Sequence, residues 1–144
     1  GLDRDSHIVV VSYNGIVLLA GQTPNPTLKA KAGAAAQATQ RVKKVHNELQ
    51  IAPPTTLGSR SNDVFISSKF KARLLDTDQV ASNHIKPVTE NGVLFLMGMV
   101  SEREARAAVD IARSTAGVRK VVTLFEVLPE ADIRRLDNAR FGTR

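Results

Sequence analysis

Runs of apolar residues open the chain and predict a β-hairpin. Residues 7–13 and 16–21 are rich in Val, Ile and Leu, and the pair Asn14-Gly15 separates them. Because Asn and Gly tolerate the two positive φ angles of a type I′ turn, this dipeptide is the strongest short-range hairpin signal. Residues 16–20 are apolar at every position, which is typical of a strand covered on both faces.

The same pattern returns later in the chain and indicates an internal duplication. A shift of 77 positions carries His7 onto His84, and it also aligns the Asn-Gly pair and the glycine that closes the second run with Asn91-Gly92 and Gly98. Chance can align scattered apolar residues, but an Asn-Gly pair and a glycine at one common spacing favour a true repeat. We therefore predict two copies of one module, with both Asn-Gly pairs in tight turns.

Each predicted hairpin is followed by residues of helical period. In the second copy, Ser101 and Glu104 have the spacing of a capping box, in which each side chain binds the backbone amide of the other. Apolar residues then recur at positions 105, 108, 109 and 112. Gly117 supplies a left-handed stop. In the first copy, Pro26 precedes an alanine-rich stripe, since proline is accepted in the first helical turn.

The second copy carries one element more than the first. Asn62-Asp63 predicts the cap of a helix from about Val64 to Leu75, and too few residues precede His7 for a counterpart. A closing strand is predicted in each copy, over Val42–Ile51 and Val118–Leu128. The second module therefore has the order αββαβ, and the first is the same module without its opening helix.

The predicted fold is α+β, with each three-stranded mixed sheet packed on helices. We expect a first module over residues 1–51, a linker over 52–60 that contains two prolines and a glycine, and a second module over 61–128. Residues 129–144 form a charged tail with a weak helical pattern, and we expect its end to be disordered.

Composition and charge narrow the possible functions. The 144 residues are 42% hydrophobic but only 4% aromatic, so the core must be aliphatic. A net charge of +6 raises the possibility of a nucleic-acid or membrane partner. The compact basic cluster Arg41–Lys44 has no interleaved aromatic residues for base stacking, which argues against nucleic acid.

The sequence lacks the residues and motifs that several kinds of functional site require. The absence of cysteine excludes disulfides, thiolate metal sites and a cysteine nucleophile within these residues. No apolar run has the length of a transmembrane helix, and no signal peptide is present, so we expect any targeting segment to lie upstream of Gly1. Nucleophile-elbow, Walker and dinucleotide motifs are also missing.

We therefore predict a protein that is not an enzyme and that needs neither a cofactor nor a metal. Glu102, Glu104 and Asp110 are expected to be exposed and chemically ordinary. His7 and His84 occupy equivalent positions without further ligands at metal-binding spacing, and they are predicted to be strand-entry residues.

The opening helix of the second module has a second apolar face. With Ile66 at the centre of the core stripe, Phe65 lies about 100° away and Leu75 about 180° away, on the side of Ser68 and Lys71. Apolar residues beside a lysine are typical of a membrane interface. Alternatively, Phe65 packs under the linker and Leu75 under the following loop.

The hairpin, capped alanine-rich helix and closing strand together resemble the BON domain. The stretches 61–75 and 88–105 are similar to one branch, the dual-BON outer-membrane lipoproteins of the DolP (YraP) family, and the likeness covers residues 7–128. The resemblance implies a periplasmic lipoprotein anchored to the outer membrane by an acylated cysteine. It also implies a role in outer-membrane integrity and binding of anionic, phosphatidylglycerol-like phospholipid through the opening helix of the second module.

We therefore predict lipid contact for one set of residues on this helix: Phe65, Ser68, Lys69, Lys71, Ala72 and Leu75. Phe65 stands where enterobacterial relatives have a tryptophan that is expected to enter the lipid, and Lys71 stands where they have arginine. Phenylalanine lacks the indole N–H that favours the headgroup boundary, and lysine lacks the bidentate grip of arginine on phosphate. We therefore expect the same surface with altered affinity.

Three functional hypotheses remain at this point. The first is a lipid-binding envelope protein, and the second is an adaptor for envelope proteins that uses the sheet edge or the exposed face of the first module. The third, a nucleic-acid binder, is disfavoured because the strands offer only Tyr13, Phe95 and Phe125, at positions that are not equivalent. The missing helix should also leave an apolar face of the first sheet open, for the second module or a partner chain to cover.

Overall fold

The fold comes from a computed structural model that describes residues 5–141, with side chains described for 5–137. The end of the tail, residues 142–144, for which we predicted disorder, lies outside the described residues. The chain divides into two compact units, Gly1–Asp63 and Val64–Arg144, and both contain helices and a mixed sheet. The predicted α+β class is therefore confirmed.

The first unit contains a hairpin, a helix and two short strands. The elements are β1 (His7–Tyr13), β2 (Ile16–Thr23), α1 (Pro26–Gln37), β3 (Lys44–Asn47) and β4 (Gln50–Ile51). In the sheet β1 pairs antiparallel with β2, and β3 and β4 both pair parallel with β2. The predicted closing strand Val42–Ile51 is thus shorter and broken, because the buried Leu49 leaves the strand and packs in the core.

The second unit repeats this order after an opening helix, and its closing strand is one unbroken strand of eight residues. A 3-10 turn (Ser82–His84) leads into its sheet, and the other elements are α2 (Leu57–Leu75), β5 (Ile85–Glu90), β6 (Val93–Val100), α3 (Glu102–Arg113), β7 (Lys120–Val127) and α4 (Glu130–Phe141). The sheet has the order β5-β6-β7, in which β5 and β6 are antiparallel and β6 and β7 are parallel.

Both Asn-Gly pairs form the predicted two-residue turns. Asn14 and Gly15 have φ angles of 50° and 80°, and Asn91 and Gly92 have 52° and 77°. Tyr13 faces Ile16 across the first turn. These angles belong to the type I′ turn, whose twist matches that of the flanking strands. The repeat inferred from the sequence is therefore present in the backbone.

The start of α2 differs from the prediction. We expected the helix to begin at about Val64, but it begins at Leu57, so residues 57–60 of the predicted linker are helical. Thr56 provides the cap, since its Oγ1 accepts a hydrogen bond of 3.1 Å from the amide of Ser59. The two prolines before Thr56 cannot continue a helix toward the N-terminus, and they limit the irregular segment to a few residues.

The two cores differ in size. Among the described residues of the second unit, ten buried ones form one cluster, to which α2 contributes Phe70 and Leu74 and α3 contributes alanines. Among those of the first unit, the corresponding cluster has three buried members, Val17, Leu19 and Leu49. The second unit therefore has the larger core beneath its surface.

Candidate functional site

The part of α2 in the second unit buries one face deeply. Ile66 and Phe70 are fully buried, and Leu74 is 2% exposed. These residues recur every four positions, so they form a stripe along one side of the helix. Arg73 fastens this side to α3, because its guanidinium donates to the carbonyl oxygen of Ile111 at 2.8 Å and to the Thr115 hydroxyl at 2.9 Å.

The opposite side of the same helix is exposed and partly apolar. We call it the outer face, and it consists of Val64, Phe65, Ser68, Lys71, Ala72 and Leu75, all of which are exposed. The three large apolar side chains retain much of their surface: 68% for Val64, 61% for Phe65 and 75% for Leu75. Neither predicted alternative, Phe65 under the linker or Leu75 under the following loop, is observed.

Lys69 lies at the edge of the outer face and is less exposed than the other residues predicted to contact lipid. It is only half-exposed, and its Nζ donates to the carbonyl oxygen of Ala116 at 2.7 Å. The same ammonium lies 4.8 Å from the centre of the Phe65 ring, within the range of a cation–π contact. Lys69 therefore links the outer face to the loop after α3 and orients the Phe65 ring.

Lys71 is the cation that projects from the outer face. Within the described part of the chain, its ammonium makes no ion pair or hydrogen bond. The nearby Ser68 hydroxyl donates to the carbonyl oxygen of Val64 at 3.0 Å, within the helix. Lys71 is thus available to an anionic group from outside.

A shallow groove of about 240 Å³ extends from the end of the outer face. Lys71 and Leu75 line one side of it, and Ser82 and Asn83 of the 3-10 turn line the other. Apolar carbon from the helix and polar groups from the turn therefore meet beside the Lys71 ammonium.

Val64 belongs to the outer face, although the sequence analysis did not select it. The sequence analysis took Val64 as the first residue of the helix and did not apply the helical period to it. Because α2 begins seven residues earlier, at Leu57, Val64 lies in the helix interior, about 160° from Ile66 around the axis. The helical period places Val64 on the outer face whether the helix begins at Leu57 or at Val64, so the sequence alone could have shown it.

A buried cluster of charged residues corrects the prediction for Glu104. We expected Glu104 to be exposed, but it is 5% exposed, whereas Glu102 and Asp110 are exposed as predicted. Its carboxylate accepts from the amides of Ser101 at 3.1 Å and Ala81 at 3.2 Å. The capping box is therefore present, and the carboxylate also accepts a hydrogen bond from the backbone just before the 3-10 turn.

His84 joins this carboxylate to the C-terminal helix α4. Its Nδ1 lies 2.8 Å from Glu104 Oε2, and its Nε2 lies 2.7 Å from Asp137 Oδ1. Burial alone lowers the pKa of His84, but hydrogen bonds to Asp137 and Glu104, together with their charges, outweigh burial and raise the pKa. His84 precedes β5 as predicted, and its side chain also links the start of this strand to α3 and α4.

The described residues offer no arrangement typical of metal binding or of membrane spanning. Among them, no group of three or more His, Asp or Glu side chains is placed to hold a metal ion. No described helix is both long enough and apolar enough to cross a bilayer. His7 lies at the first position of β1, the strand-entry position that the sequence predicts.

Comparison with known proteins identifies the module. The family model for the BON domain matches twice, over residues 1–53 and 62–129. The chain is 37% identical over 127 residues to the outer membrane lipoprotein DolP of Haemophilus influenzae. The aligned residues cover 88% of this chain and 66% of that protein.

Two further relatives carry other names. The chain is 36% identical to the 21 kDa hemolysin of Actinobacillus pleuropneumoniae, over 84% of this chain and 62% of that protein. It is 29% identical to the osmotically-inducible protein Y of Escherichia coli, over 82% of this chain and 60% of that protein. The chain thus spans less than two thirds of the length of these relatives. The two matched segments and the duplicated fold show that this chain belongs to the BON domain family and contains two BON domains.

Proposed function

We propose that this chain is a non-enzymatic protein of the bacterial envelope that binds anionic phospholipid through the outer face of α2. The observation that carries the proposal is the exposure of Val64, Phe65 and Leu75 around Lys71 on one side of a helix whose other side is buried. Such a face is suited to lie at a bilayer surface, with its apolar side chains in the acyl boundary and its cation among the headgroups.

The similarity to an outer membrane lipoprotein supports the proposed location. That relative is 37% identical over most of this chain, and its name places it at the outer membrane. We infer that this chain acts in the periplasm, next to the outer membrane, as part of a lipoprotein that supports membrane integrity. Contact through one helix face would then be peripheral, without a membrane-spanning segment.

The expected affinity is modest. Fully burying a Val, Leu or Phe side chain contributes about 1.5–3 kcal/mol, and the outer face buries only the exposed part of each. A lysine near an anionic surface adds about 1 kcal/mol, and this contribution falls as salt screens the charge. Reversible contact of this strength becomes effective when an anchor raises the local concentration of lipid.

Lys71 gives the interaction its preference for anionic lipid. Its ammonium is a single point charge, so it should attract any headgroup phosphate and favour a net negative surface. Because Lys69 already donates to the protein backbone, we assign it the supporting role of holding the Phe65 ring. Ser68 and Ala72 keep the centre of the face small, which lets the helix approach the bilayer closely.

A titration monitored by NMR tests the proposal. Labelled protein is titrated with phosphatidylglycerol micelles and, separately, with micelles of a zwitterionic lipid, and amide shifts are mapped. Shifts should cluster on residues 64–75 and appear only with the anionic lipid, and Phe65→Glu should abolish them. The matched control is Val127→Glu, which changes a 54% exposed valine outside α2 and should leave them intact. Equal binding by Phe65→Glu, or shifts centred on Arg41–Lys44, would refute the proposal.

A further inference from the structure

The helix α4 is attached to the second unit at several points along its length. Near its start, Glu130 Oε1 accepts a hydrogen bond of 3.0 Å from Arg103 Nε, but both side chains are about half-exposed, so this pair adds little stability. Ile133, one turn later, is buried and is the apolar anchor of the helix. A further turn on, Asp137 Oδ1 lies 2.7 Å from His84 Nε2. Among the described side chains, this last contact is the polar contact that holds α4 beyond Ile133.

Both nitrogens of the His84 ring lie against carboxylates. Nδ1 lies 2.8 Å from Glu104 Oε2 on α3, and Nε2 lies 2.7 Å from Asp137 Oδ1 on α4. An ionised carboxylate only accepts hydrogen bonds, so each contact requires an N–H on the ring. A neutral imidazole carries one N–H, and an imidazolium carries two. With both carboxylates ionised, the two contacts therefore exist together only when His84 is positively charged.

Among the described residues, the charged groups that face this ring are both acidic. Burial lowers the pKa of His84, but the hydrogen bonds and charges of Asp137 on α4 and Glu104 on α3 outweigh burial and raise the pKa. The strand β6, which packs against the 3-10 turn, contains no titratable residue, and Lys86 on β5 is exposed. The surroundings of the ring therefore favour its charged form.

The two carboxylates differ in how well they tolerate the loss of a ring proton. Glu104 is buried, and its oxygens also accept from the backbone amides of Ser101 and Ala81, which fix its position. The Asp137 side chain is 36% exposed, so water can replace the ring as its partner. A neutral His84 should therefore keep its proton on Nδ1, toward Glu104. The lone pair of Nε2 would then face the Asp137 carboxylate and repel it.

We propose that His84 is a pH-sensitive clasp, which holds α4 when the ring is charged and releases the helix beyond Ile133 when the ring is neutral. Because the pKa of His84 is raised above 6.5, the clasp is closed at mildly acidic pH and opens as pH rises through the raised value. The start of α4 stays attached, since the Ile133 amide also donates to the Pro129 carbonyl oxygen at 3.1 Å. The loss of one proton thus alters the surface that the second unit presents.

The clasp is separate from the proposed lipid contact, because none of its three side chains belongs to the outer face of α2. The contact between His84 and Glu104 persists in the neutral state, so it keeps in place the 3-10 turn that lines the groove at the end of that face. Either proposal can therefore fail while the other holds.

NMR of the full chain at a series of pH values tests the clasp. Carbon-detected backbone shifts report the helicity of residues 134–141 without interference from amide exchange. They are followed between about pH 5.5 and 9, the range in which a histidine of raised pKa titrates. The ring shifts of His84, recorded in the same samples, give its midpoint and its neutral tautomer. We expect the helicity of residues 134–141 to fall along the His84 titration, with the neutral proton on Nδ1, while β6 and α3 keep their secondary structure.

Asp137→Asn is the decisive variant. An amide can accept from the charged ring and donate to the neutral ring, so α4 should stay helical across the whole pH range. The pKa of His84 should also fall, and by linkage each pH unit of this fall corresponds to about a tenfold effect of the proton on docking of α4 in the wild type. The matched control is Asp132→Asn, on the same helix, where Asp132 pairs with Arg135. This control should respond to pH as the wild type does.

Several results would overturn the proposal. One is constant helicity of residues 134–141 while the His84 ring titrates, and another is a ring that does not titrate in this range. A third is loss of structure throughout the second unit at the His84 midpoint, because that is unfolding and not release of one helix. The last is a pH response of Asp137→Asn equal to that of the wild type.

Discussion

Replacing Glu104 with alanine should destabilise the second unit strongly. The buried carboxylate accepts from two backbone amides, those of Ser101 and Ala81, and it lies 2.8 Å from His84 Nδ1. A hydrogen bond to a charged group contributes about 1.5–3 kcal/mol to stability. The three hydrogen bonds share one carboxylate, so their contributions cannot simply be added. Breaking a buried ion pair by removing one partner typically costs about 3–5 kcal/mol, and we expect a loss in this range.

The matched control is Glu102→Ala, two positions earlier on the same helix. Glu102 pairs with Arg106 at 3.2 Å, but both side chains are largely exposed, so we expect a change within about 0.5 kcal/mol. Urea unfolding should be followed through amide signals of the second unit, since a chain of two units need not unfold in one step. A loss below about 1 kcal/mol for Glu104→Ala would refute the structural role assigned to this carboxylate.

Two further predictions concern His84 and the glycine opposite it. Because the folded-state pKa of His84 is raised above 6.5, its contribution to stability is complete below that pH and is lost as pH rises through the raised value. The difference in unfolding free energy between wild type and His84→Gln should therefore fall as pH rises from 6.5 through the raised pKa. A difference that stays constant over this range would contradict the assignment. Gly98→Ala should cost at least about 1–3 kcal/mol in thermal or urea unfolding, since φ is 141° and the added Cβ would strike the His84 carbonyl oxygen. Gly58→Ala, in α2, should be neutral or slightly stabilising, because the added Cβ would meet only the Thr56 hydroxyl at 3.9 Å; an equal loss in both variants would refute the argument.

Local signals accounted for much of the fold. The Asn-Gly turns and the capping box at Ser101 depend on a few neighbouring residues, so the sequence could reveal them. The start of α2 was missed because Thr56 is followed at the third helical position by Ser59, not by the Glu or Gln that would complete a capping box. A threonine after two prolines is equally typical of a linker.

The role of Glu104 depends on residues that are distant in the sequence. Its partner His84 is 20 positions away, and Asp137 is 53 positions from His84. A capping box alone gives no information on whether its carboxylate faces solvent. The position of α4, on which Asp137 lies, was visible only as a weak helical pattern. No local pattern could therefore have shown that these three side chains meet.

The outer face was largely predictable, because helical period alone separates Leu75 from Ile66. The same period also places Val64 on this face, although the sequence analysis did not select it. One detail required the structure, namely the contact of Lys69 with the Ala116 carbonyl oxygen. That contact depends on how the loop after α3 lies against α2, where Gly117, with a φ of 93°, lies close to the Ile66 side chain.

The most direct test of the central claim uses the absence of tryptophan from this chain. Phe65→Trp introduces a single indole fluorophore on the outer face, and Val127→Trp introduces one at a control position. With phosphatidylglycerol vesicles, the emission of the Phe65→Trp variant should shift to the blue and be quenched by brominated acyl chains, while the emission of the Val127→Trp variant should not change. Zwitterionic vesicles should affect neither variant. If the emission of the Phe65→Trp variant stays that of a water-exposed indole with anionic vesicles, the outer face of α2 does not enter the membrane.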